Sequence, residues 1–457
     1  MEKDYLFDSG EKFTMQSYFE NIFKLMIPIA LQNLLLNALN LIDTVMVGQL
    51  GDVAIAGVGI ANQIYFLLNL FVFGVTSATA IFTSQYWGAK DIKNIKKTTA
   101  TAIKIVFIFV ILFQIICFLF PSFLISLFTK DERVIKVGAS YLRIVSFSFL
   151  PMSISFVFSF ILRTMHFVKL SLFASIIGIG SNTLLNYFLI FGIWVFPRLN
   201  VQGAAIATII ARFLELLFLV IFIYIKNLPC TINFDHFKKS EKGFLSKFLK
   251  ISLPVIFNEM LWSLGVTIYT VIYARISTSA VAASNIALTI ERFAFVIFIG
   301  LANASAVLIG NFIGKKMYKT AIDLANKGLI FSFISGILIG SLIYFLTPFI
   351  LILFKVSLEV KEIVKGIIFI YSFIVCLRAM NVLLIVGIFR SGGDTTFSLI
   401  VDAGAVWFFG IPFGLLAAFV FKLSVPLVFL AISSEEIVKV IFSLIRFFNK
   451  KWIKNVI

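Results

Sequence analysis

Charged residues, histidine and cysteine are all scarce in this sequence. Charged side chains make up 13% of the 457 residues, whereas soluble domains average about 25%. Hydrophobic residues make up 60%, and 55 positions are Phe. A soluble globule of this size would not have enough polar side chains to cover its apolar surface. The shortage of charge therefore excludes a soluble protein and predicts an integral membrane protein with many spans.

The few cysteines and histidines exclude several kinds of catalytic or metal site. Cys117, Cys230 and Cys376 lie far apart and match no disulfide or metal-ligand spacing. The two histidines fall in polar connections, so they form no cluster for chemistry at one membrane face. A glycine-rich phosphate-binding loop is also missing, which argues against an ATP-driven pump. We predict that the protein is not an enzyme and requires no cofactor.

Long apolar runs predict an all-α integral membrane protein with twelve transmembrane helices. A helix of about 20 apolar residues crosses the hydrocarbon core with its backbone hydrogen bonds satisfied internally. Barrel strands would alternate polar and apolar residues, and runs such as Phe156–Leu162 do not. The sequence begins without an apolar signal-peptide core. The predicted spans are residues 22–47, 54–84, 98–120, 137–162, 170–194, 203–225, 251–275, 281–311, 321–347, 363–389, 397–421 and 426–448.

Lysine and arginine are divided unequally between the two ends of the predicted spans. The end with both chain termini and the connection 226–250 holds 23 basic residues, and the opposite end holds 9. The positive-inside rule places the richer end in the cytoplasm, so both termini are predicted to be cytoplasmic in a multi-pass cell (inner) membrane protein. The net charge of +17 is thus a topology signal. Nucleic-acid binding would need a soluble basic domain, and no connection is long enough for one.

An internal repeat divides the chain near its middle. Laying the segment that starts at Pro28 onto the segment that starts at Pro254 gives 15 identities in 63 positions without a gap. The matches include glycines, such as Gly88 on Gly314, which apolar bias alone would not readily align. Because each copy contains an even number of spans, the two copies share one orientation in the membrane.

The repeat predicts two six-helix lobes related by an axis along the membrane normal. The N-terminal lobe is residues 1–225, the cytoplasmic linker is 226–250, and the C-terminal lobe is 251–457. This architecture is typical of secondary carriers whose lobes rock about a site between them. A channel more often repeats by oligomerisation, and a membrane enzyme has no need of two equivalent lobes.

Three segments resemble the MATE (multidrug and toxic compound extrusion) family. They are PIALQNLLLNALNLIDTVMVGQLGD at 28–52, LPVIFNEMLWSLG at 253–265 and FRSGGDT at 389–395. The resemblance runs from about Pro28 to the last span. It implies twelve helices in two lobes and the exchange of Na⁺ or H⁺ for drugs, often organic cations. The residues alone reach only a two-lobed secondary carrier.

Four polar residues of the first lobe are predicted to couple transport to an ion. Asp43 lies in an apolar run without a nearby basic residue, and such a carboxylate is costly unless it serves a function. The alternative interpretation is that Asp43 lies near the end of its span and is reached by solvent. Asn182 and Asn186 share one helix face, where they are either Na⁺ ligands or contacts between helices. Thr208 matches a threonine ligand of the family, or it bonds only to its own helix.

The second lobe carries candidate residues for a substrate or cation site. Glu259 follows Pro254 and matches a glutamate of the NorM-type branch, although the aspartate that this branch has in the tenth span is missing here. Arg378 can instead neutralise Glu259 as a structural ion pair. Asp402 in the eleventh span is a second candidate. Arg212 and Glu215, three residues apart in the sixth span, are predicted to form a structural pair.

These observations favour a secondary active multidrug efflux transporter that exchanges H⁺ or Na⁺ for organic cations by alternating access. Its expected partners are small-molecule drugs and membrane lipid, without nucleic acid, and the expected state is a monomer. The alternative is a lipid-linked oligosaccharide flippase of the same superfold, which would favour a basic cavity. A Na⁺ ion would be held by Asp43, Asn182, Asn186 and Thr208. With Asn186 at a position where some family members have aspartate, Asp43 is the one evident carboxylate there, which favours H⁺.

Overall fold

The computed structural model describes residues 14–238, 242–352, 354 and 356–457, and every regular element within these ranges is helical. The helices of the first half are α1 (Met15–Gly48), α2 (Asp52–Gly88), α3 (Ile92–Leu119), α4 (Pro121–Ser126), α5 (Glu132–Val145), α6 (Phe149–Thr164), α7 (Val168–Phe191) and α8 (Asn200–Ile225). A short helix, α9 (Phe234–Lys238), precedes the second half. The second half contains α10 (Lys242–Ile276), α11 (Thr278–Gly314), α12 (Tyr318–Ile352), α13 (Leu358–Val382), α14 (Thr395–Ala405), α15 (Ile411–Leu415) and α16 (Val425–Phe448).

The helix boundaries follow from capping residues in the sequence. The side chains of Thr14, Asp91 and Ser277 accept hydrogen bonds from the first turns of α1, α3 and α11. Gly192 ends α7 in the left-handed conformation with φ 69°, which glycine adopts at little cost. Segments of π-helix continue α13 over Leu383–Phe389 and interrupt the eleventh span twice. Such segments are often found at functional sites.

The predicted twelve-helix membrane fold is confirmed. Eleven helical stretches in the described ranges are long and apolar enough to cross a membrane. The twelfth span is α16, a helix that carries Glu435, Glu436 and Lys439 among its buried side chains. These charges make the helix less apolar than the other spans, but they are buried against protein neighbours. The helix has 24 residues, which is long enough to cross the membrane.

Two of the arginines that were counted for the topology prediction are buried in the structure instead of exposed at the ends of their spans. Arg163 and Arg390 lie at or just after helix ends, but their exposed fractions are only 6% and 3%. They therefore belong to the protein interior and carry no topology signal. Four other lysines of that count lie outside the described residues, namely Lys3, Lys12, Lys239 and Lys355.

The first helix of each lobe begins in the core of the other lobe. In α1, residues such as Tyr18, Ile22 and Ile29 pack against α11, α12 and the π-helix that follows α13. In α10, residues such as Phe248 and Ile256 pack in the core formed by α2 to α8. Residues 242–250 of the predicted linker are thus the first turns of α10. The two lobes exchange these helical halves at one end of the bundle, which we call the basic end because the larger share of lysine and arginine lies there.

Helices α2 and α11 touch through glycine at the basic end. A Cβ atom on Gly88 would lie 1.9 Å from the carbonyl oxygen of Asn311, and one on Gly314 would lie 1.9 Å from that of Gln85. Real Cβ atoms do not approach a backbone oxygen so closely, so both positions require glycine. The two backbones pack in direct contact and close the bundle at this end.

The C-terminal residues seal the same end. Trp452 is fully buried, and Lys454 Nζ lies 2.6 Å from Asp394 Oδ1. The Gln85 side chain of the first lobe donates to the carbonyl oxygen of Ser391 at 3.0 Å and accepts from the backbone N–H of Val456 at 2.8 Å. The segment therefore binds both lobes together.

Candidate functional site

The four residues predicted for ion coupling lie in one chain of hydrogen bonds. Asn186 on α7 donates its amide to Asp43 Oδ1 on α1 at 2.6 Å and to Asn182 Oδ1 at 3.0 Å. Asn182 in turn donates to Thr208 Oγ1 on α8 at 3.2 Å. Thr208 also donates to the carbonyl oxygen of Ala204 in its own helix at 2.9 Å. Three helices of the first lobe thus meet at these side chains.

The ion pair predicted in the sixth span is confirmed, and it leaves Asp43 without a salt bridge among the described residues. Arg212 Nη1 lies 2.8 Å from Glu215 Oε2, and both side chains are largely buried. The guanidinium therefore has its own carboxylate one turn away. Asp43 relies on a neutral amide, so its charge is only partly compensated.

One acceptor in this chain of hydrogen bonds is buried without a partner among the described residues. Asn186 is 1% exposed, and its Oδ1 atom has no hydrogen-bond partner among the described residues. A proton on Asp43 or a bound cation would each provide a partner for such an oxygen. The donor set contains one carboxylate, two amides and one hydroxyl, and oxygen ligands of this kind suit a hard monovalent cation.

The structure pairs Glu259 with a different arginine from the one considered in the sequence. Arg390 Nη2 lies 2.7 Å from Glu259 Oε1, and the Glu259 side chain is 18% exposed. Arg378 instead contacts Glu291 and Glu436, at 2.5 and 3.0 Å. The alternative in which Arg378 neutralises Glu259 is therefore wrong. Arg378 lies about three helical turns before Arg390, so it faces acids at another depth of the lobe.

Asp402, the other candidate of the second lobe, lies close to Glu259 but has separate partners. Its Oδ1 atom is 2.9 Å from Lys439 Nζ on α16, and Asn258 on α10 donates to its Oδ2 atom at 3.0 Å. Because Asn258 and Glu259 are adjacent in α10, the two acids border one region of the lobe. Each already has a basic partner, unlike Asp43.

A buried network beside Asp402 was missed in the sequence. Tyr269 donates to Glu435 Oε2 at 2.5 Å, and Lys439 Nζ lies 3.4 Å from Glu435 Oε1. Glu436 accepts from Asn381 and from Arg378. The signal was present, because three charges so close together in an apolar helix rarely face lipid. Among the described residues, no group of three or more His, Cys, Asp or Glu side chains is arranged to hold a metal.

Comparison with models of protein families gives two matches to the same family, one in each half of the chain. The sequence model of the MatE family matches residues 28–188 and 254–416. The two matches begin at Pro28 and Pro254, the same pair of prolines at which the copies of the internal repeat begin. Together they span more than half of the chain.

Named relatives and solved structures are similar to the chain over nearly its whole length. The probable multidrug resistance protein YoeA of Bacillus subtilis (strain 168) is 24% identical over 420 residues, which are 91% of this chain and 90% of that protein. The probable multidrug resistance protein NorM of Bacillus thuringiensis subsp. konkukian is 25% identical over 406 residues, covering 86% and 87%. A crystallised variant of the Vibrio cholerae MATE transporter VcmN superposes with a TM-score of 0.88 at 20% identity, covering 96% of this chain and 98% of that one.

Proposed function

Because the chain belongs to the MatE family of multidrug efflux transporters, we propose that it exports organic, mostly cationic compounds in exchange for H⁺. The basic end faces the cytoplasm in this proposal, and the protein works in the cell membrane as a monomer. Its two lobes correspond to residues 1–225 and 251–457. The relatives named as multidrug resistance proteins support an exporter of drugs over the oligosaccharide flippase.

The observation that carries the proposal is the environment of Asp43. The carboxylate is half-buried, its hydrogen-bond partner is the neutral Asn186 amide, and the nearby Arg212 is paired with Glu215. A group in this setting gains a proton or a cation more readily than a carboxylate that has its own basic partner. Asn182, Asn186 and Thr208 hold it in place from two other helices.

Protons demand less of this site than Na⁺ does. The Asn186 and Asn182 side chains both use their N–H groups within the chain of hydrogen bonds. Binding Na⁺ would require amide oxygens to turn towards the ion, because Na⁺ needs several oxygen ligands at once. Protonation of Asp43 needs no rearrangement of this kind.

The second lobe supports a cationic group on the cargo. Glu259 keeps part of its side chain accessible, and Asp402 lies near it. Carboxylates with accessible surface favour positively charged ligands. We propose that Glu259 contacts the cargo directly. Asp402 positions Glu259 through its hydrogen bond with the neighbouring Asn258.

The proposal is tested by ethidium transport in everted membrane vesicles with the variant Asp43→Asn. The asparagine keeps the size of the side chain and its contact with Asn186, but it cannot exchange a proton. We expect coupled efflux to fall to background while the amount of folded protein is unchanged. The matched control is Asp52→Asn, because Asp52 is exposed at the start of α2. Full ethidium transport by Asp43→Asn would contradict the assignment.

The coupling ion is tested by collapsing each gradient separately. A proton-coupled carrier moves protons opposite to ethidium and is indifferent to replacement of Na⁺ by choline. If removal of Na⁺ stops efflux while the pH gradient is held constant, the exporter is coupled to Na⁺ instead.

A further inference from the structure

Residues 452–457 form an arm of the second lobe that reaches into the first lobe at the basic end. Trp452 is fully buried and stacks on Phe447 of α16, with the two ring centres 6.0 Å apart. Four residues later, Val456 is buried in the core formed by α2 to α8, and Ile457 packs against the same core. The arm is therefore anchored in one lobe and inserted into the other.

Two consecutive glycines of the second lobe hold the arm in place. The backbone N–H of Lys454 donates to the carbonyl oxygen of Gly392 at 2.8 Å. A Cβ atom on Gly392 would lie 2.3 Å from the carbonyl oxygen of Trp452, so only glycine leaves room for the arm. The next residue, Gly393, has a φ of 77°, which also favours glycine. The glycine pair therefore gives the arm one fixed path across the second lobe.

Gln85 of α2 is the side chain of the first lobe that the arm binds, and it is fully buried. Its Nε2 atom donates to the carbonyl oxygens of Ser391 and Lys454, at 3.0 and 3.2 Å. Its Oε1 atom accepts from the backbone N–H of Val456 at 2.8 Å. The amide nitrogen and the amide oxygen of one side chain are thus both satisfied by the opposite lobe, and two of the three hydrogen bonds come from the arm.

The internal repeat separates the contribution of the arm from that of the lobes themselves. Asn311 of α11 is the repeat equivalent of Gln85, at the same offset as Pro254 from Pro28. Asn311 Nδ2 donates to His166 Nε2 of the first lobe at 2.7 Å, and Asn311 Oδ1 has no partner among the described residues. The amide that no arm contacts makes one such bond between the lobes, whereas Gln85 makes three.

We propose that the arm and Gln85 form a lock on the basic end, so that the arm must leave the first lobe each time this end opens. The hydrogen bonds of Gln85 exist only while the lobes touch, and water replaces these partners when the lobes separate. Separation also returns the buried side chain of Val456 to water. The lock therefore sets how often the end opens. This inference rests on the proposed export function, because an exporter must open this end to take up its cargo.

The test measures how often a buried thiol beside the lock becomes accessible. Ser84 precedes Gln85 in α2, is 2% exposed and borders a cavity of about 40 Å³ between the lobes, so Ser84→Cys places a thiol there. The half-buried Cys376 is replaced by serine. A membrane-impermeant methanethiosulfonate is added to everted vesicles, in which the basic end faces the reagent. Because the thiol reacts only in the open state, the modification rate is proportional to the open fraction.

Two variants weaken the lock, and each has a matched control. Gln85→Leu removes three hydrogen bonds at similar side-chain size, and Val456→Ser removes the apolar insertion. We expect each to raise the modification rate at least about tenfold, the typical effect of leaving a buried polar group without a partner. The controls are Gln63→Leu, exposed on the same helix, and Val428→Ser, buried in the core of the second lobe. Both lie far from the lock, so the rate should change by less than about twofold.

An unchanged rate in folded Gln85→Leu or in folded Val456→Ser overturns the proposal, and either variant decides alone if the other does not fold. A rate in Val428→Ser as high as that in Val456→Ser also overturns it, because loosening of the second lobe would then explain the effect. Ethidium efflux by the unchanged protein reports on export separately. Active efflux with unaltered thiol access in the variants refutes the lock alone. Faster access in the variants of a protein without efflux refutes the export function and leaves the lock standing.

Discussion

The glycine contacts between α2 and α11 predict that one added methyl group opens the basic end. In Gly88→Ala the new Cβ atom lies 1.9 Å from the Asn311 carbonyl oxygen, whereas ordinary contact begins at 3.4 Å. The helices must therefore separate by the difference between these two distances, which is about the radius of a carbon atom. The obstacle is backbone, so no side-chain rotation relieves it.

The size of the effect follows from the cost of overpacking. Inserting a methyl group into a packed contact typically costs about 1–3 kcal/mol, and rigid backbone places this site at the upper end. Because about 1.4 kcal/mol is a factor of ten, a cost of ~3 kcal/mol shifts the balance between closed and open lobes by about a hundredfold. Gly314→Ala acts on the reciprocal contact and is expected to give the same shift.

The shift is measured as the distance between spin labels on the two lobes. Lys93 and Lys319 are exposed at the starts of α3 and α12, and each is replaced by cysteine for labelling. The native Cys376 is half-buried and is replaced, whereas the other two cysteines are buried. Gly59→Ala in α2 is the control, since its Cβ meets nothing within 4 Å. The reasoning is refuted if both glycine variants keep the distance distribution of the unchanged protein.

Two further perturbations test buried charges. Glu259→Gln leaves Arg390 without a compensating charge, so we expect a lower melting temperature and a loss of about 3–5 kcal/mol. An unchanged melting temperature in detergent, relative to Asp52→Asn, would contradict the pairing. Burial and the nearby Lys315 lower the pKa of His166, in the connection between α6 and α7, to about 4. An exposed histidine has a pKa of about 6.5, so acid protonates His166 more readily in an open state that exposes it than in the closed state. Closure of the basic end therefore weakens by ~2 kcal/mol between about pH 7 and pH 5. The spin-label distance should lengthen on acidification, and His166→Asn should abolish this pH dependence; a pH response that survives the substitution would exclude His166 as its cause.

The fold could be predicted from the sequence because its causes are local or periodic. Apolar length sets each span, and the internal repeat that begins at Pro28 and at Pro254 sets the relation between the lobes. The Asp43 set required the family resemblance, since Asn182 and Thr208 gave no signal of their own beyond helical spacing. Their contacts depend on how three helices pack, and no local pattern encodes that.

The partner of Glu259 shows where prediction from sequence failed. Arg378 and Arg390 are separated by about 18 Å along a helix axis. Glu259 lies shortly after Pro254, in the half of α10 near the basic end, so depth alone favours Arg390. In the sequence, Arg390 is counted among the basic residues at the ends of spans on the basic side. In the structure Arg390 is held in the interior by its ion pair with Glu259. A contact of this kind between two helices is visible only in three dimensions.

The exchange of helical halves between the lobes has a consequence for how the chain is made. When the first lobe has left the ribosome, the apolar side chains of Tyr18, Ile22 and Ile29 in α1 still lack their partners in α11 and α12. The first lobe is complete only when Phe248 and Ile256 of α10 have entered its core. Neither copy of the repeat is therefore an autonomous folding unit. During synthesis the N-terminal half therefore stays incompletely packed in the bilayer until the C-terminal half has been inserted. Both halves then reach their final packing together.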